Sequence, residues 1–187
     1  MHEPVPDAPA QTEAWELRVH LAEGRQQKLA AARTAVGLHQ DDPGSLLLVD
    51  AALADEAGTA EEEELRLSSL ERAAAVAPDN SWALQRLARA YVRSSQGVRA
   101  APLVRRSLQL RPDNPGALDT FALVAEAQGD CRAARDLQRM AVERLPPPPD
   151  PSKPAAKEAG GAAHNDARDQ IAAMRARLAR YEARCPG

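Results

Sequence analysis

Apolar residues recur along this chain at the three- and four-residue spacing of amphipathic helices, in segments divided by glycine and proline. The final segment shows the pattern over ten residues, through Ile171, Met174, Leu178 and Tyr181. No alternating strand pattern competes with it, and alanine, leucine and arginine, which dominate the composition, favour helices. The pattern predicts helices over about residues 10–23, 25–38, 45–56, 59–77, 81–94, 98–110, 115–128, 131–145 and 166–184.

The first helical segment has two rows of apolar residues, and both are expected to face the core. The rows are Ala14, Leu17 and Leu21, and Trp15, Val19 and Ala22.

Prolines punctuate the chain at a fixed period, because Pro78, Pro112 and Pro146 are each separated by 34 residues. A period of this size indicates helical repeats, each built as a hairpin of two helices. We expect a disordered segment over 1–9, hairpins over about 10–40, 41–78, 79–112 and 113–145, a proline-rich linker or loop over 146–164, and a capping helix over 165–185.

The repeats resemble the tetratricopeptide repeat (TPR) family, whose pattern is W-x2-L-G-x2-Y…A-x3-F…P. Two departures are visible: leucine stands at the tryptophan position, and Gln138 stands where a large apolar residue is usual. The central repeat matches through Leu84, Leu87, Ala88, Tyr91, Ala100, Val104, Ser107 and Pro112. The next repeat matches through Leu118, Phe121, Ala122, Ala125, Gly129, Ala134, Gln138, Ala141 and Pro146.

The resemblance implies an all-α fold, a short right-handed superhelical solenoid of hairpins closed by the C-terminal capping helix. It also implies a concave groove, lined by the first helix of each hairpin, that binds a peptide or helix of a partner. Arginines in the groove could bind acidic groups, although an arginine-rich chain carries arginine on most solvated faces. The groove positions are Leu47, Ala51, Gln85, Arg89, Arg93, Asp119, Leu123 and Glu126.

Charge and composition exclude several classes of function. A net charge of -3 and 3% aromatic residues argue against a nucleic-acid surface. No apolar run is long enough to span a bilayer, so no direct membrane insertion is expected. No phosphate-binding glycine loop, nucleophile motif or metal-ligand cluster occurs, so we expect no enzyme, no cofactor and no metal.

The two cysteines leave two alternatives open. Cys131 begins the second helix of the last hairpin and Cys185 follows the final helix, so an antiparallel stack could bring the two thiols together. A bond between them would imply a periplasmic or extracytoplasmic location, and free thiols would suit the cytoplasm.

Two hypotheses for function remain from the sequence. The first is an interaction module for a protein or peptide partner, acting as an accessory or assembly factor. The alternative is a structural spacer or self-association domain of a larger envelope-associated protein, with the chain as a possible homo-oligomer. The run Glu61-Glu62-Glu63-Glu64 fits either the acidic start of a helix or a contact patch for a basic partner.

Overall fold

The computed structural model describes the backbone of residues 8–53, 58–145 and 161–185, and the side chains of 12–53, 58–145 and 169–185. The predicted disordered start, apart from residues 8 and 9, and most of the predicted linker, 146–160, lie outside the described residues. Within them the regular elements are all helices, which confirms the all-α prediction: α1 (Ala8–Leu21), α2 (Arg25–Leu38), α3 (Pro43–Ala52), α4 (Ala60–Val76), α5 (Ser81–Arg93), α6 (Gly97–Leu110), α7 (Pro115–Ala127), α8 (Cys131–Glu143) and α9 (Gly161–Arg184).

Short polar side chains cap the helix starts that the proline-containing turns predict. Asp42 accepts a hydrogen bond from the Ser45 backbone N–H at 2.7 Å. Asn80 and Asn114 cap α5 and α7 in the same way, each accepting from two backbone N–H groups. Hydrogen bonds from Ser45 and Thr12 outweigh partial burial and lower the pKa of the Asp42 carboxyl. These caps satisfy backbone groups that helix starts otherwise leave unpaired.

The turns inside the two regular hairpins use the same left-handed backbone conformation. Ser95 has φ 58° between α5 and α6, and Gly129, 34 residues later, has φ 79° between α7 and α8. Glycine adopts this conformation without steric cost, whereas serine does so rarely. The two hairpins therefore share the same turn conformation at this position, although one has serine there and the other has glycine.

The chain divides into two compact units, residues 1–90 and 91–187. In the first unit, α1 packs on α2 and α3, and α3 packs on α4. Its core contains Val19 and Leu29 together with Ala32, Ala35, Leu48, Val49, Ala52 and Leu53.

The structure corrects one expectation for α1. Trp15 and Val19 face the core as predicted, but the other row does not, because Leu17 is 58% exposed and Leu21 is 72% exposed. Only one of the two rows can point at α2 and α3, and the larger Trp15 row occupies that side.

A buried ion pair, which the sequence analysis missed, joins the helices of the second hairpin. Arg66 of α4 is 1% exposed and its Nε lies 3.5 Å from Oδ1 of Asp50 in α3. Asp50 Oδ2 accepts a hydrogen bond from Arg86 at 2.7 Å, and Glu63 accepts from Arg66 at 3.0 Å. Three helices of the first unit are therefore connected through one buried carboxylate.

The ion pair stands where the regular hairpins have alanine. Counted seven residues from the prolines that begin α3 and α7, Asp50 corresponds to Ala122. Counted twelve residues back from the repeating prolines, Arg66 corresponds to Ala100 and Ala134. The second hairpin has thus replaced a contact between small residues by a contact between charged ones.

The glutamate run begins α4 and contributes to packing inside the first unit. Thr59 and Glu62 form a capping box, in which each side chain binds the other residue's backbone N–H. The Glu62 carboxylate also accepts a hydrogen bond from Arg25 at 2.9 Å, which ties the start of α4 to the start of α2. The Thr59 backbone N–H, followed by Arg25, lowers the pKa of the Glu62 carboxyl.

The lowered pKa predicts how the Glu62 contribution changes with pH. A carboxyl whose pKa is lower in the folded state stabilises the fold above its unfolded pKa, and this contribution is lost as pH falls through the folded pKa. We expect Glu62→Gln to lower the melting temperature at pH 7, because the neutral amide weakens both the capping box and the hydrogen bond from Arg25. Thermal melts from pH 7 to pH 3 should show the difference from wild type shrinking to zero in acid. A difference that stayed constant across this range would contradict the assignment, and Glu64→Gln, at an exposed position of α4, is the matched control.

In the second unit, α6 packs on α7, α7 on α8, and α8 on α9. One cluster of its core places small residues, Ala122, Ala125 and Ala134, around a large aromatic side chain, Tyr181 of α9. The predicted capping helix is therefore present, and it packs on α8 as the first helix of a further hairpin would.

Candidate interaction surfaces

One stripe of α5 in the first unit combines an aromatic side chain with two arginines. Trp82, Arg86 and Arg89 follow one another at i, i+4 and i+7, which places them on one face of the helix. Trp82 is 48% exposed, which is high for a tryptophan in a folded domain. We call these three residues the α5 stripe.

Two sequence-predicted groove residues lie on α3, which contacts the first half of α5. Leu47 of α3 is half-buried and packs against the cluster that contains Ala83, the neighbour of Trp82. Ala51, one turn further along α3, is also half-buried. The Asp50–Arg86 hydrogen bond fixes α3 against α5 at this point.

The predicted groove residues of α5 differ in exposure. Arg89 is half-buried, and Arg93, in the part of α5 that belongs to the second unit, is exposed. Gln85 is only 5% exposed, because it lies beside the stripe and turns toward the packed side of α5. Its neighbour Arg86 is the more exposed of the two, and the sequence analysis did not assign it to the groove.

In the second unit, the predicted groove residues of α7 are in contact with α9. Asp119 is fully buried, and its Oδ1 accepts hydrogen bonds from Gln138 Nε2 at 2.9 Å and from Arg177. Gln138 Nε2 also donates to the Met174 carbonyl at 3.0 Å. The Asp119 carboxylate therefore binds side chains of its own unit. One of them is Gln138, which stands at an apolar position of the family pattern.

Glu126, seven residues further along α7, holds the second half of α9. Its Oε2 accepts the Tyr181 hydroxyl at 2.7 Å, and its Oε1 accepts from Arg184 at 3.2 Å. Burial, followed by the hydrogen bond to Glu126, raises the pKa of the Tyr181 phenol well above its usual range. Leu123, between the two acidic residues, is half-buried.

The two cysteines meet where α9 ends on α8. Cys131 and Cys185 lie at disulfide-bonding distance, with their Cα atoms 5.8 Å apart and a sequence separation of 54. Arg135 donates to the Cys185 carbonyl at 2.7 Å, which holds the end of α9 in place. A cavity of about 50 Å³ lies beside the pair, lined by Glu126, Gly129, Cys131, Ala134, Tyr181 and Arg184.

The described part of the chain offers neither a metal cluster nor a membrane span. Across the described side chains, no three His, Cys, Asp or Glu residues are placed to hold a metal ion. None of the helices at 8–53, 58–145 and 161–185 is both long and apolar enough to cross a membrane.

Comparison with known proteins identifies the fold. No protein-family model and no curated protein sequence matches the chain. Among solved structures, MamA residues 41 to the end from Desulfovibrio magneticus RS-1 aligns with a TM-score of 0.60 at 14% identity, covering 98% of this chain and 100% of that one. TTC0263, a thermophilic TPR protein of Thermus thermophilus, aligns with a TM-score of 0.59 at 21% identity, covering 90% and 83%.

A further structure, a mutant of MamA, aligns with a TM-score of 0.54 at 18% identity, covering 96% of this chain and 95% of that one. These identities are too low to transfer a function, but the alignments extend over almost the whole chain. Together with the 34-residue period and the hairpins of both units, they show that the chain has the helical repeat fold of TPR proteins.

Proposed function

We propose that this protein is a non-enzymatic interaction module that holds a peptide or helix of a partner protein, as an accessory or assembly factor. The observation that supports this most directly is the α5 stripe, where an exposed tryptophan and two arginines share one helix face. Tryptophan and arginine are among the residues most often responsible for binding energy at protein interfaces.

The chemistry of the surface points to an acidic amphipathic partner. The half-exposed Trp82 ring offers an apolar anchor, and its sequence neighbour Ala83 lies in the cluster against which Leu47 of α3 packs. Arg89, two turns further along the stripe, offers a planar guanidinium that matches a carboxylate in geometry. A partner segment with an apolar side chain and a carboxylate about 10 Å apart, or two helical turns, would meet both residues.

We expect Trp82→Ala and Arg89→Glu each to weaken partner binding by ten-fold or more, which corresponds to at least about 1.4 kcal/mol. Partners are identified by affinity capture with wild-type protein, and the dissociation constant of the best-recovered one is then measured by titration calorimetry. Arg33→Glu, at an exposed position of α2, reverses the same charge away from the stripe and should leave affinity unchanged.

Far-UV circular dichroism must show wild-type helix content for each variant, because α5 also carries buried core residues such as Leu84 and Leu87. Equal affinities for wild type, Trp82→Ala and Arg89→Glu would show that the partner binds elsewhere and would reject the α5 stripe as the binding surface.

Self-association is the second candidate function, and one observation favours it. Leu17 and Leu21 lie one turn apart on α1 and are both largely exposed, which gives the first unit an apolar strip. Light scattering across a range of concentrations separates the two candidates. A peptide-binding module remains monomeric, whereas self-association gives a molar mass that rises with concentration and falls again in Leu17→Glu.

A further inference from the structure

Charge is divided unevenly between the two units of this chain. Residues 1–90 include 16 acidic and 8 basic residues, whereas residues 91–187 include 11 acidic and 16 basic residues. The net charge is therefore -8 for the first unit and +5 for the second, in agreement with -3 for the whole chain. Opposite charges of this size attract the first unit of one molecule to the second unit of another.

The basic excess is concentrated around α6, which exposes a face without acidic residues. No aspartate or glutamate occurs between Asp79 and Asp113. Val98, Pro102 and Arg106 follow at i, i+4 and i+8, so they share one side of α6, and all three are exposed. The exposed fraction of Val98 is 83%, the highest among the large apolar side chains that the structure describes. We call these three residues the α6 face.

Two further arginines of α6 are held by aromatic rings. The Arg99 guanidinium lies over the Tyr91 ring, 4.1 Å from its centroid, and the Arg105 guanidinium lies 5.9 Å from the centroid of the Phe121 ring. Both arginines are nevertheless exposed. A guanidinium that is already stacked on a ring loses less conformational freedom when its N–H edge binds a carboxylate. The surroundings of the α6 face therefore suit an apolar segment accompanied by acidic residues.

Helix α1 of the first unit has the complementary pattern. Glu13, Leu17 and Leu21 also follow at i, i+4 and i+8, and all three are exposed. The exposed fraction is 58% for Leu17 and 72% for Leu21. The acidic start of α4 differs from α1, because Glu64 is exposed there without a largely exposed apolar side chain beside it.

The two patterns match when the helices run antiparallel. Each helix has two exposed apolar residues one turn apart, and a charged residue one turn beyond them. The charged residue precedes the apolar pair on α1 and follows it on α6, so an antiparallel contact places opposite charges at the same end. The facing pairs are then Leu21 with Val98, Leu17 with Pro102, and Glu13 with Arg106.

We propose that the α6 face binds α1 of a second copy of this chain in an antiparallel helix contact. The inference rests on self-association, the second candidate function above, and names the two surfaces that carry it. Because these surfaces differ, the contact is heterologous, and each molecule binds one neighbour through α1 and another through α6. The contact of two helix faces is small, so the association is weak and reversible.

Sedimentation equilibrium of the full-length chain, up to about 0.5 mM, covers the range of weak association. We expect the mean molar mass of wild type to rise with concentration, and to rise less in about 0.5 M salt than in about 0.1 M salt, because salt screens exposed charges. Leu21→Arg and Val98→Glu should each weaken association ten-fold or more, since each removes an apolar contact and places like charges together. Leu38→Arg, at an exposed position of α2 outside both surfaces, should associate like wild type.

A mixture of two variants tests whether the contact is heterologous. Leu21→Arg keeps an intact α6 face and Val98→Glu keeps an intact α1, so their equimolar mixture should form one-to-one dimers and no larger species. Each variant alone should remain largely monomeric at the same concentration. A mixture that is no more associated than its components would overturn the proposal.

An exchange of charges tests the antiparallel register. Glu13→Arg and Arg106→Glu should each weaken association, and the double variant should recover it, because the pair is restored with its signs reversed. Glu64→Arg, which makes the same change on α4, should leave association unchanged. Losses that add up in the double variant would overturn the register.

The outcomes separate the α6 face from the function on which it rests. A wild-type chain that stays monomeric over the whole concentration range rejects self-association and the α6 face together. Association that falls in Leu17→Glu and is unchanged in Val98→Glu retains self-association as a function and rejects the α6 face.

Discussion

Replacing Asp50 by alanine should lower the free energy of unfolding of the first unit by about 3 kcal/mol or more. The carboxylate of Asp50 lies within reach of both Arg66 and Arg86, and Arg66 is almost fully buried. Without Asp50, the contact that remains to Arg66 among the described side chains is the one with Glu63, which is itself partly exposed. A buried cation that loses its partner is far more costly than a missing surface pair, and urea-induced unfolding followed by circular dichroism measures the loss.

The double variant Asp50→Ala/Arg66→Ala makes this prediction specific. It recreates the small residues that the regular hairpins have at the same places, and removes the buried charge together with its partner. We expect it to be more stable than either single variant, although the volume of the arginine side chain is lost. Asp41→Ala, which removes a surface pair with Arg72, should change stability by less than about 1 kcal/mol. Additive losses in the double variant would show that the two residues do not act as a pair.

Reduction of the Cys131–Cys185 pair should lower the stability of the second unit by roughly 4 kcal/mol, less any strain in the bond. The bond closes a loop of 54 residues, and cross-linking a loop of this length removes much of the freedom of the unfolded chain. Thermal melts with and without a phosphine reductant measure the change, which should be several degrees in the melting temperature.

The state of the cysteines is checked on the same sample. Intact mass should rise by two hydrogens on reduction, and alkylation of the unreduced protein should label neither thiol. The variant Cys131→Ser/Cys185→Ser should melt at one temperature with or without reductant. Full labelling of both thiols in unreduced protein would show that the bond does not form.

The hairpins were predictable because each depends on local signals that one sequence carries. The 34-residue period, the polar residues after each repeating proline and the turn glycines determined where helices begin and end. The predicted helices agree with the observed ones within a few residues at most ends. These signals act over a few residues, so no tertiary information was needed to interpret them.

The contacts between helices were only partly predictable, since they depend on which side of each helix is covered. The two rows of α1 are similarly apolar in sequence, and only the packing against α2 and α3 determines that Val19 is buried while Leu17 is exposed. Asp119 looked like an exposed groove residue because its burial depends on Arg177, 58 residues away in sequence. Gln138, Asp50 and Arg66 were recognisable in the sequence as exceptions, because each is polar or charged at a repeat position that is otherwise apolar. Such departures indicate a contact, but the sequence does not name the partner.

The Asp50–Arg66 pair also bears on how a chain of similar hairpins avoids pairing its helices in the wrong order. Repeats with nearly identical packing surfaces can assemble with non-native neighbours during folding. Suppose that α4 packed on α5 or α7 in the way in which it packs on α3 in its own hairpin. Arg66 would then lie against Ala88 or Ala122 and would be buried without a counter-ion. Such misassembled chains would be disfavoured by the cost of that unpaired charge. The charged pair therefore favours the native contact between α3 and α4 over contacts between other helices. We expect the double alanine variant to form more non-native helix pairs during folding, even if its native state is as stable as that of the wild type.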